Sequence, residues 1–131
     1  MKRKIAILGS TGSIGRSTIE ILKKNKNKFE ISLLTADKNI NELSKQIKDF
    51  KVKNLIINNK KHFKYLKKKF KNKDIKIYNN LDDINKIFNK KIDYCMSCIS
   101  GLAGLKPTLD MIKYSRTIAI ANKESLICAW D

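Results

Sequence analysis

The sequence of 131 residues is long enough for one domain of ordinary size and too short for two. Hydrophobic residues make up 42% of it, which excludes a disordered chain, and no apolar run approaches the ~18 residues of a membrane span. The first apolar run is also too short for the core of a signal peptide. We therefore expect a soluble protein of the cytoplasm, without a membrane partner.

A net charge of +17, from 29 basic and 12 acidic residues, raises nucleic acid as a partner. The basic residues, however, are almost all lysines, whereas proteins that read nucleic acids use arginine for bidentate and stacked contacts. The lysines are also spread over nearly every predicted helix and loop. We therefore expect no nucleic-acid partner, although a basic nucleic-acid-binding module stays open as an alternative function.

Short apolar or β-branched runs alternate with helical patterns along the whole chain. In chain order, the alternating strands and helices are predicted at Lys4–Leu8, Ser13–Lys24, Phe29–Ala36, Asn39–Phe50, Lys53–Ile57, His62–Phe70, Ile75–Tyr78, Leu81–Phe88, Ile92–Ile99, Leu102–Tyr114 and Thr117–Ala121, and a last helix begins at Lys123. Strands separated by helices indicate βαβ units. The predicted fold is a doubly wound, Rossmann-like α/β domain with a mainly parallel sheet and helices on both faces.

The first predicted strand leads directly into Gly9-Ser-Thr-Gly12-Ser-Ile-Gly15, where the first helix begins. Three glycines in this position are typical of a dinucleotide-binding turn. Gly9 allows the tight turn, Gly12 lets a pyrophosphate approach the backbone, and Gly15 lets the helix lie close to the strand. The start of the helix adds free N–H groups and the positive end of its dipole.

The first helix has apolar residues that predict which side faces the core. These are Ile14, Thr18, Ile21 and Leu22, and Ser13 is the predicted N-terminal cap. We therefore expect this stripe to pack against the sheet.

The end of the second predicted strand carries the side chains that would meet the adenosine ribose of a dinucleotide. Asp37 could accept a hydrogen bond from a free 2′-hydroxyl, whereas Lys38 and Asn39 could hold a 2′-phosphate. Lys38 and the nearby Arg16 make NADP the favoured cofactor on charge.

Cys95, Cys98 and Cys128 are an odd number of thiols in a chain without a secretion signal, which argues against a disulfide framework. Cys95 and Cys98 have C-x-x-C spacing, which a redox or zinc site could use. A zinc site needs a second pair of ligands, and His62 is the only histidine. Structural thiols at the end of a buried strand are the favoured interpretation.

Two further segments complete a family pattern. Cys98-Ile-Ser-Gly-Leu-Ala-Gly-Leu-Lys-Pro-Thr108 follows the fifth predicted strand, and Ala119-Ile-Ala-Asn-Lys-Glu-Ser-Leu126 includes the end of the sixth. With the glycine turn and Ala-Asp-Lys-Asn39, they make the whole chain resemble the N-terminal NADPH-binding domain of the 1-deoxy-D-xylulose 5-phosphate reductoisomerases. The pentapeptide Ala121–Ser125 is the most specific part of this resemblance.

The resemblance implies an NADPH-dependent oxidoreductase that rearranges 1-deoxy-D-xylulose 5-phosphate and reduces it to 2-C-methyl-D-erythritol 4-phosphate, in isoprene biosynthesis by the non-mevalonate pathway. It implies cofactor contacts from Thr11, Gly12, Ser13, Ile14, Lys38, Asn39, Asn122 and Glu124, and a substrate contact from Lys123. It also implies a divalent cation, manganese or magnesium. No catalytic residue and no metal ligand are assigned to this chain.

The chain also departs from the family pattern. Asp37 and Ala129-Trp130 stand where the family commonly has glycine. The catalytic and C-terminal domains of the family, with the metal-binding carboxylates, are absent from the chain, so we expect residues 1–131 to be inactive alone. A homodimer is expected only for the full-length form. A domain of another NAD(P)-dependent oxidoreductase stays open as an alternative function.

Overall fold

The structure, a computed structural model, describes residues 2–121. Its six strands are β1 (Arg3–Leu8), β2 (Phe29–Ala36), β3 (Asn54–Ile57), β4 (Lys76–Tyr78), β5 (Ile92–Ser97) and β6 (Ser115–Ile120). The helices between them are α1 (Ser13–Lys23), α2 (Ile40–Asp49), α3 (Lys60–Lys69), α4 (Ile84–Ile87) and α5 (Leu105–Ile112). Short 3₁₀ turns at Leu81–Asp83 and Leu102–Gly104 lead into α4 and α5.

All six strands form one sheet in the order β4-β3-β2-β1-β5-β6, and every neighbouring pair is parallel. The chain therefore builds outward from β1 to β4 and then returns to the other side of β1 with β5. This reversal leaves a crevice beyond the carboxyl ends of β1 and β5, where ligands bind in open α/β sheets. The predicted doubly wound α/β fold is confirmed.

The core has two parts, one on each face of the sheet. Along β1, Ile5 and Ile7 belong to the part that α1, α2 and α3 cover. Ala6 and Leu8 belong to the opposite part, which α4 and α5 cover. Strands buried on both faces are expected to be apolar along most of their length. The apolar runs in the sequence therefore predicted the positions of the strands well.

The predicted inward stripe of α1 was correct at Leu22 but wrong at Ile14 and Ile21, and the predicted cap was wrong. Ile14 and Ile21 are 50% and 64% exposed, and the buried side of the helix is formed by Gly15, Ile19 and Leu22. The N-cap residue is Gly12 rather than Ser13. Gly15 fixes the rotation of the helix because it is the position at which α1 approaches the end of β1, and a pattern of apolar side chains does not detect a buried glycine.

The other elements lie close to their predicted bounds. The helices predicted from Leu81 and Leu102 each begin with the 3₁₀ turn rather than an α-helical one, and so α4 and α5 are short. The helix predicted from Lys123 lies outside the described residues. None of the helices between residues 2 and 121 is long and apolar enough to cross a membrane.

Candidate cofactor site

A cleft of about 450 Å³ lies beyond the carboxyl ends of β1, β2, β3 and β5. It is lined by Gly9, Thr11, Gly12, Thr35, Ala36, Asp37, Lys38, Asn39, Asn58, Leu81, Cys98, Ile99, Ser100 and Ala103. The cleft thus occupies the crevice at which the strand order reverses. Its lining brings together the glycine turn, the end of the second strand and the segment after β5.

The three glycines of the turn have different reasons to be glycine. Gly9 has a φ of +78°, and a Cβ there would lie 3.1 Å from the carbonyl carbon of Cys98. A Cβ on Gly15 would collide with the carbonyl oxygen of Gly9 and lie 2.7 Å from the Cα of Ser10. A Cβ on Gly12 would meet only the Gly9 oxygen, at 3.8 Å. The fold therefore requires Gly9 and Gly15, whereas space beside Gly12 is left for whatever occupies the cleft.

The start of α1 differs from those of α2 and α3. Asn39 and Asn59 cap α2 and α3, with side-chain oxygens that accept from the backbone N–H groups of Glu42 at 3.2 Å and His62 at 3.0 Å. No side chain caps α1. The first N–H groups of a helix have no partner within it, so the first turn of α1 retains donors suited to a phosphate.

The corner at the end of β2 carries opposite charges. Asp37 and Lys38 are exposed, and neither forms an ion pair within residues 2–121. The side-chain oxygen of Asn39 is engaged in capping α2, which leaves its NH₂ group as the donor available to a ligand. Arg16 is exposed on α1 but does not line the cleft, so Lys38 is the cation at this corner.

The predicted cofactor residues are only partly brought together in the described structure. Thr11, Gly12, Lys38 and Asn39 line the cleft. Ser13 and Ile14 are exposed at the start of α1, next to Gly12, and do not line it. The predicted contacts Asn122, Lys123 and Glu124 lie outside the described residues. The individual roles of all these residues stay predictions.

Several lining residues were not singled out from the sequence. Asn58 directly follows β3, and Ile99 and Ser100 follow β5. Parallel strands end at the same edge of the sheet, so the strand order would have placed these three residues beside the glycine turn. Leu81 and Ala103 belong to the 3₁₀ turns. Ala103, like Ile99 and Ser100, lies in the segment after β5 that carries the family resemblance, but no role at the cofactor site was predicted for it from the sequence.

The two described cysteines are free and poorly suited to redox chemistry. Burial raises the pKa of the Cys95 thiol to about 12, and the nearby Cys98 adds to this shift. Burial alone raises the pKa of the Cys98 thiol to about 11. Reactive cysteines have lowered pKa values, so the structure supports the interpretation as structural thiols. The third thiol, Cys128, lies outside the described residues.

Comparison with known proteins gives a consistent match. The sequence profile of 1-deoxy-D-xylulose 5-phosphate reductoisomerase matches residues 5–130. The reductoisomerase of Pelagibacter ubique is 55% identical over 131 residues, which cover 98% of this chain and 34% of that protein. The reductoisomerase of Thermodesulfovibrio yellowstonii is 40% identical over 130 residues, again 98% of this chain and 34% of the relative.

Solved structures agree with this match. The reductoisomerase from Zymomonas mobilis in complex with NADPH is similar with a TM-score of 0.88 and 32% identity, over 98% of this chain and 34% of that one. A reductoisomerase in complex with magnesium gives a TM-score of 0.86 and 30% identity, over 98% of this chain and 33% of that one. The chain thus spans 34% of the length of the curated relatives named above. Profile, relatives and fold together show that this chain belongs to the 1-deoxy-D-xylulose 5-phosphate reductoisomerase family.

Proposed function

We propose that residues 1–131 are the NADPH-binding domain of an enzyme that converts 1-deoxy-D-xylulose 5-phosphate to 2-C-methyl-D-erythritol 4-phosphate. The observation that carries this proposal is the space beside Gly12. The fold tolerates a Cβ at this position, yet the position is glycine and borders the cleft at the switch point of the sheet. A pyrophosphate drawn close to the backbone accounts for the missing side chain.

The residues of the cleft suit the parts of NADPH. The uncapped first turn of α1 and the hydroxyl of Thr11 would donate to the pyrophosphate. Lys38 and the NH₂ group of Asn39 would hold the 2′-phosphate. The apolar side chains that line the cleft, those of Leu81, Ile99 and Ala103, would contact the adenine. When bound, NADPH supplies the hydride for reduction.

The described residues do not suit the divalent cation of the reaction. Between residues 2 and 121, no three His, Cys, Asp or Glu side chains converge on a point that could hold a metal ion. On the family resemblance, we propose that the manganese or magnesium ligands lie in the catalytic domain. Asn122 and Glu124 are proposed to contact the cofactor and Lys123 the substrate. Residues 1–131 alone are expected not to oxidise NADPH when given substrate and manganese, because a metal must polarise the carbonyl.

The proposed function also implies a substrate, a neighbouring domain and an oligomeric state. The substrate is a phosphorylated ketose, and the catalytic domain of the family is the expected neighbour of this one. We propose a homodimer for the full-length enzyme, a location in the cytoplasm, and neither nucleic acid nor membrane as a partner. Size-exclusion chromatography with light scattering on the full-length enzyme tests the dimer, since a monomeric mass would contradict it.

The experiment that tests the proposed function is a fluorescence titration of NADPH with the chain and with Gly12→Val. The side chain of valine should obstruct the pyrophosphate, so we expect about a tenfold or greater loss of affinity. Ser17→Val is the matched control, since Ser17 is exposed on α1 and its hydroxyl donates to the carbonyl oxygen of Ser13 at 3.1 Å, outside the glycine turn. Equal affinity for Gly12→Val and the wild type would overturn the assignment of the turn.

A further inference from the structure

A buried side chain from α2 reaches the back of the glycine turn. Gln46 is 1% exposed, and its Nε2 group donates to the carbonyl oxygen of Ser10 at 2.9 Å. Ser10 is itself fully buried and immediately precedes Thr11 and Gly12. Gln46 does not line the cleft, so it would act on a bound cofactor only through the turn.

Backbone hydrogen bonds hold this turn at its two ends, and at the far end the N–H of Arg16 donates to the carbonyl oxygen of Gly12 at 2.8 Å. The N–H groups of Gly9 and Ser10 both donate to the carbonyl oxygen of Thr35, at 3.1 and 3.0 Å. Gly9 also donates to the hydroxyl of Thr35 at 2.9 Å. In the part of the chain that the structure describes, Gln46 is the one side chain that donates to a carbonyl of residues 9–12. It therefore holds the peptide that leads into the phosphate-facing half of the turn.

The amide of Gln46 also carries an unsatisfied group. Its Oε1 atom is buried and has no hydrogen-bond partner within residues 2–121, and the same holds for the hydroxyl oxygen of Ser10. Methionine has a similar volume and would fill this space without an unpaired oxygen. A buried polar atom kept without a partner, at a local cost, is typical of a functional site. The bond to Ser10 is the benefit that the structure shows for this cost.

We propose that Gln46 is a positioning residue for the cofactor: it holds the Ser10 carbonyl so that the N–H groups after it face the pyrophosphate. This inference rests on the proposed function. Gln46 lies on the helix that Asn39 caps, directly after Lys38. The bond therefore also ties the 2′-phosphate corner to the pyrophosphate turn, so that the two ends of the cofactor site keep a fixed separation.

Two ligands separate this role from a merely structural one. NADPH contacts both the turn and the corner at Asp37–Asn39, whereas adenosine 2′-monophosphate has no pyrophosphate and reaches the corner and the adenine contacts but not the turn. In Gln46→Met, we expect about a tenfold loss of affinity for NADPH and less than a twofold loss for adenosine 2′-monophosphate. Ser44→Ala is the control, because Ser44 is also polar and buried on α2, whereas the side-chain hydrogen bond to the turn within residues 2–121 comes from Gln46. It should leave both affinities unchanged.

Thermal unfolding of the same variants completes the test. We expect the melting temperature of Gln46→Met to stay close to that of the wild type, because the variant loses one bond and one unpaired oxygen together. Unchanged NADPH affinity, or equal losses for the two ligands, would overturn the inference. If the wild type binds adenosine 2′-monophosphate but not NADPH, both the proposed function and the inference about Gln46 are wrong.

A measurement on the wild type keeps the inference testable if Gln46→Met does not fold. The side-chain amide signals of Gln46 can be followed by ¹⁵N NMR, since the chain is only 15.1 kDa. NADPH should shift these signals, because a pyrophosphate bound to the turn changes the surroundings of the Ser10 carbonyl to which Gln46 donates. Adenosine 2′-monophosphate should leave them in place. Gln46 amide signals that do not shift when NADPH is added would contradict the positioning role.

Discussion

The two edges of the sheet each carry a cavity, but their chemistry is different. At the carboxyl edge, the cleft of about 450 Å³ is lined mostly by glycines, hydroxyls, amides and small apolar side chains, with Asp37 and Lys38 as its charged residues. At the amino edge, a cavity of about 760 Å³ has a strongly basic lining. Its basic residues are Lys2, Lys4, Lys26, Lys51, Lys53, Lys91 and Arg116, against the acidic Glu30, Asp49 and Asp93.

Neither the volume of a cavity nor the charge of its lining therefore identifies the proposed cofactor site. Helices in this fold begin at the carboxyl edge and end at the amino edge, where the negative ends of their dipoles favour cations. Lysines at the amino edge are therefore expected even without a ligand. The cofactor is assigned to the smaller cleft because the strand order reverses there and α1 begins there without a cap.

The largest expected effect separates the glycines that the fold needs from the one that the ligand needs. Gly15→Ala should lower the free energy of unfolding by about 1–3 kcal/mol, because its Cβ would collide with the backbone of Gly9 and Ser10. An ordinary Gly→Ala change inside a helix stabilises by about 0.5–1 kcal/mol. A decrease in the free energy of unfolding of Gly15→Ala would therefore itself point to the collision. Gly12→Ala is the control: its Cβ has space, so it should lose less stability in urea unfolding than Gly15→Ala, and only what alanine costs at an N-cap. A stable Gly15→Ala would show that α1 can move away from the turn.

A smaller effect concerns the charge at the 2′-phosphate corner. Asp37→Gly removes a carboxylate next to Lys38, so the preference for NADPH over NADH should rise by about 1 kcal/mol, about fivefold. Competitive titration at two salt concentrations checks this, because salt should weaken the effect. Asp74→Gly is the matched control, since Asp74 is an exposed carboxylate at the amino edge. Equal changes in both variants would show that the effect comes from net charge alone.

The smallest effect is expected from the basic cavity. The double variant Lys51→Ala, Lys53→Ala removes two of its cations. A strand of six residues separates the two edges by about 20 Å, which is more than twice the screening length at physiological salt. NADPH affinity should therefore change by less than twofold in a fluorescence titration. A tenfold loss of NADPH affinity would indicate that part of the cofactor binds at the amino edge of the sheet.

The sequence predicted the fold better than the site. Strand β2 (Phe29–Ala36) is mostly apolar and gives apolar side chains to both parts of the core, and such runs marked the sheet directly. Glycine spacing marked the turn. The rotation of α1 could not be read from apolar side chains because it depends on backbone contact at Gly15. Asn58 and the bond from Gln46 to Ser10 join parts of the chain that only the strand order and helix packing bring together.

The most direct test of the cofactor assignment is a map of backbone ¹⁵N–¹H chemical shifts during titration with NADPH. We expect the largest shifts on residues at the carboxyl edge, above all Gly12, Asn39 and Ser100. Lys51, Lys53 and Arg116, at the amino edge, should keep their positions. Shifts concentrated on the amino edge, with an unchanged glycine turn, would contradict the assignment of the cofactor to the cleft at the switch point.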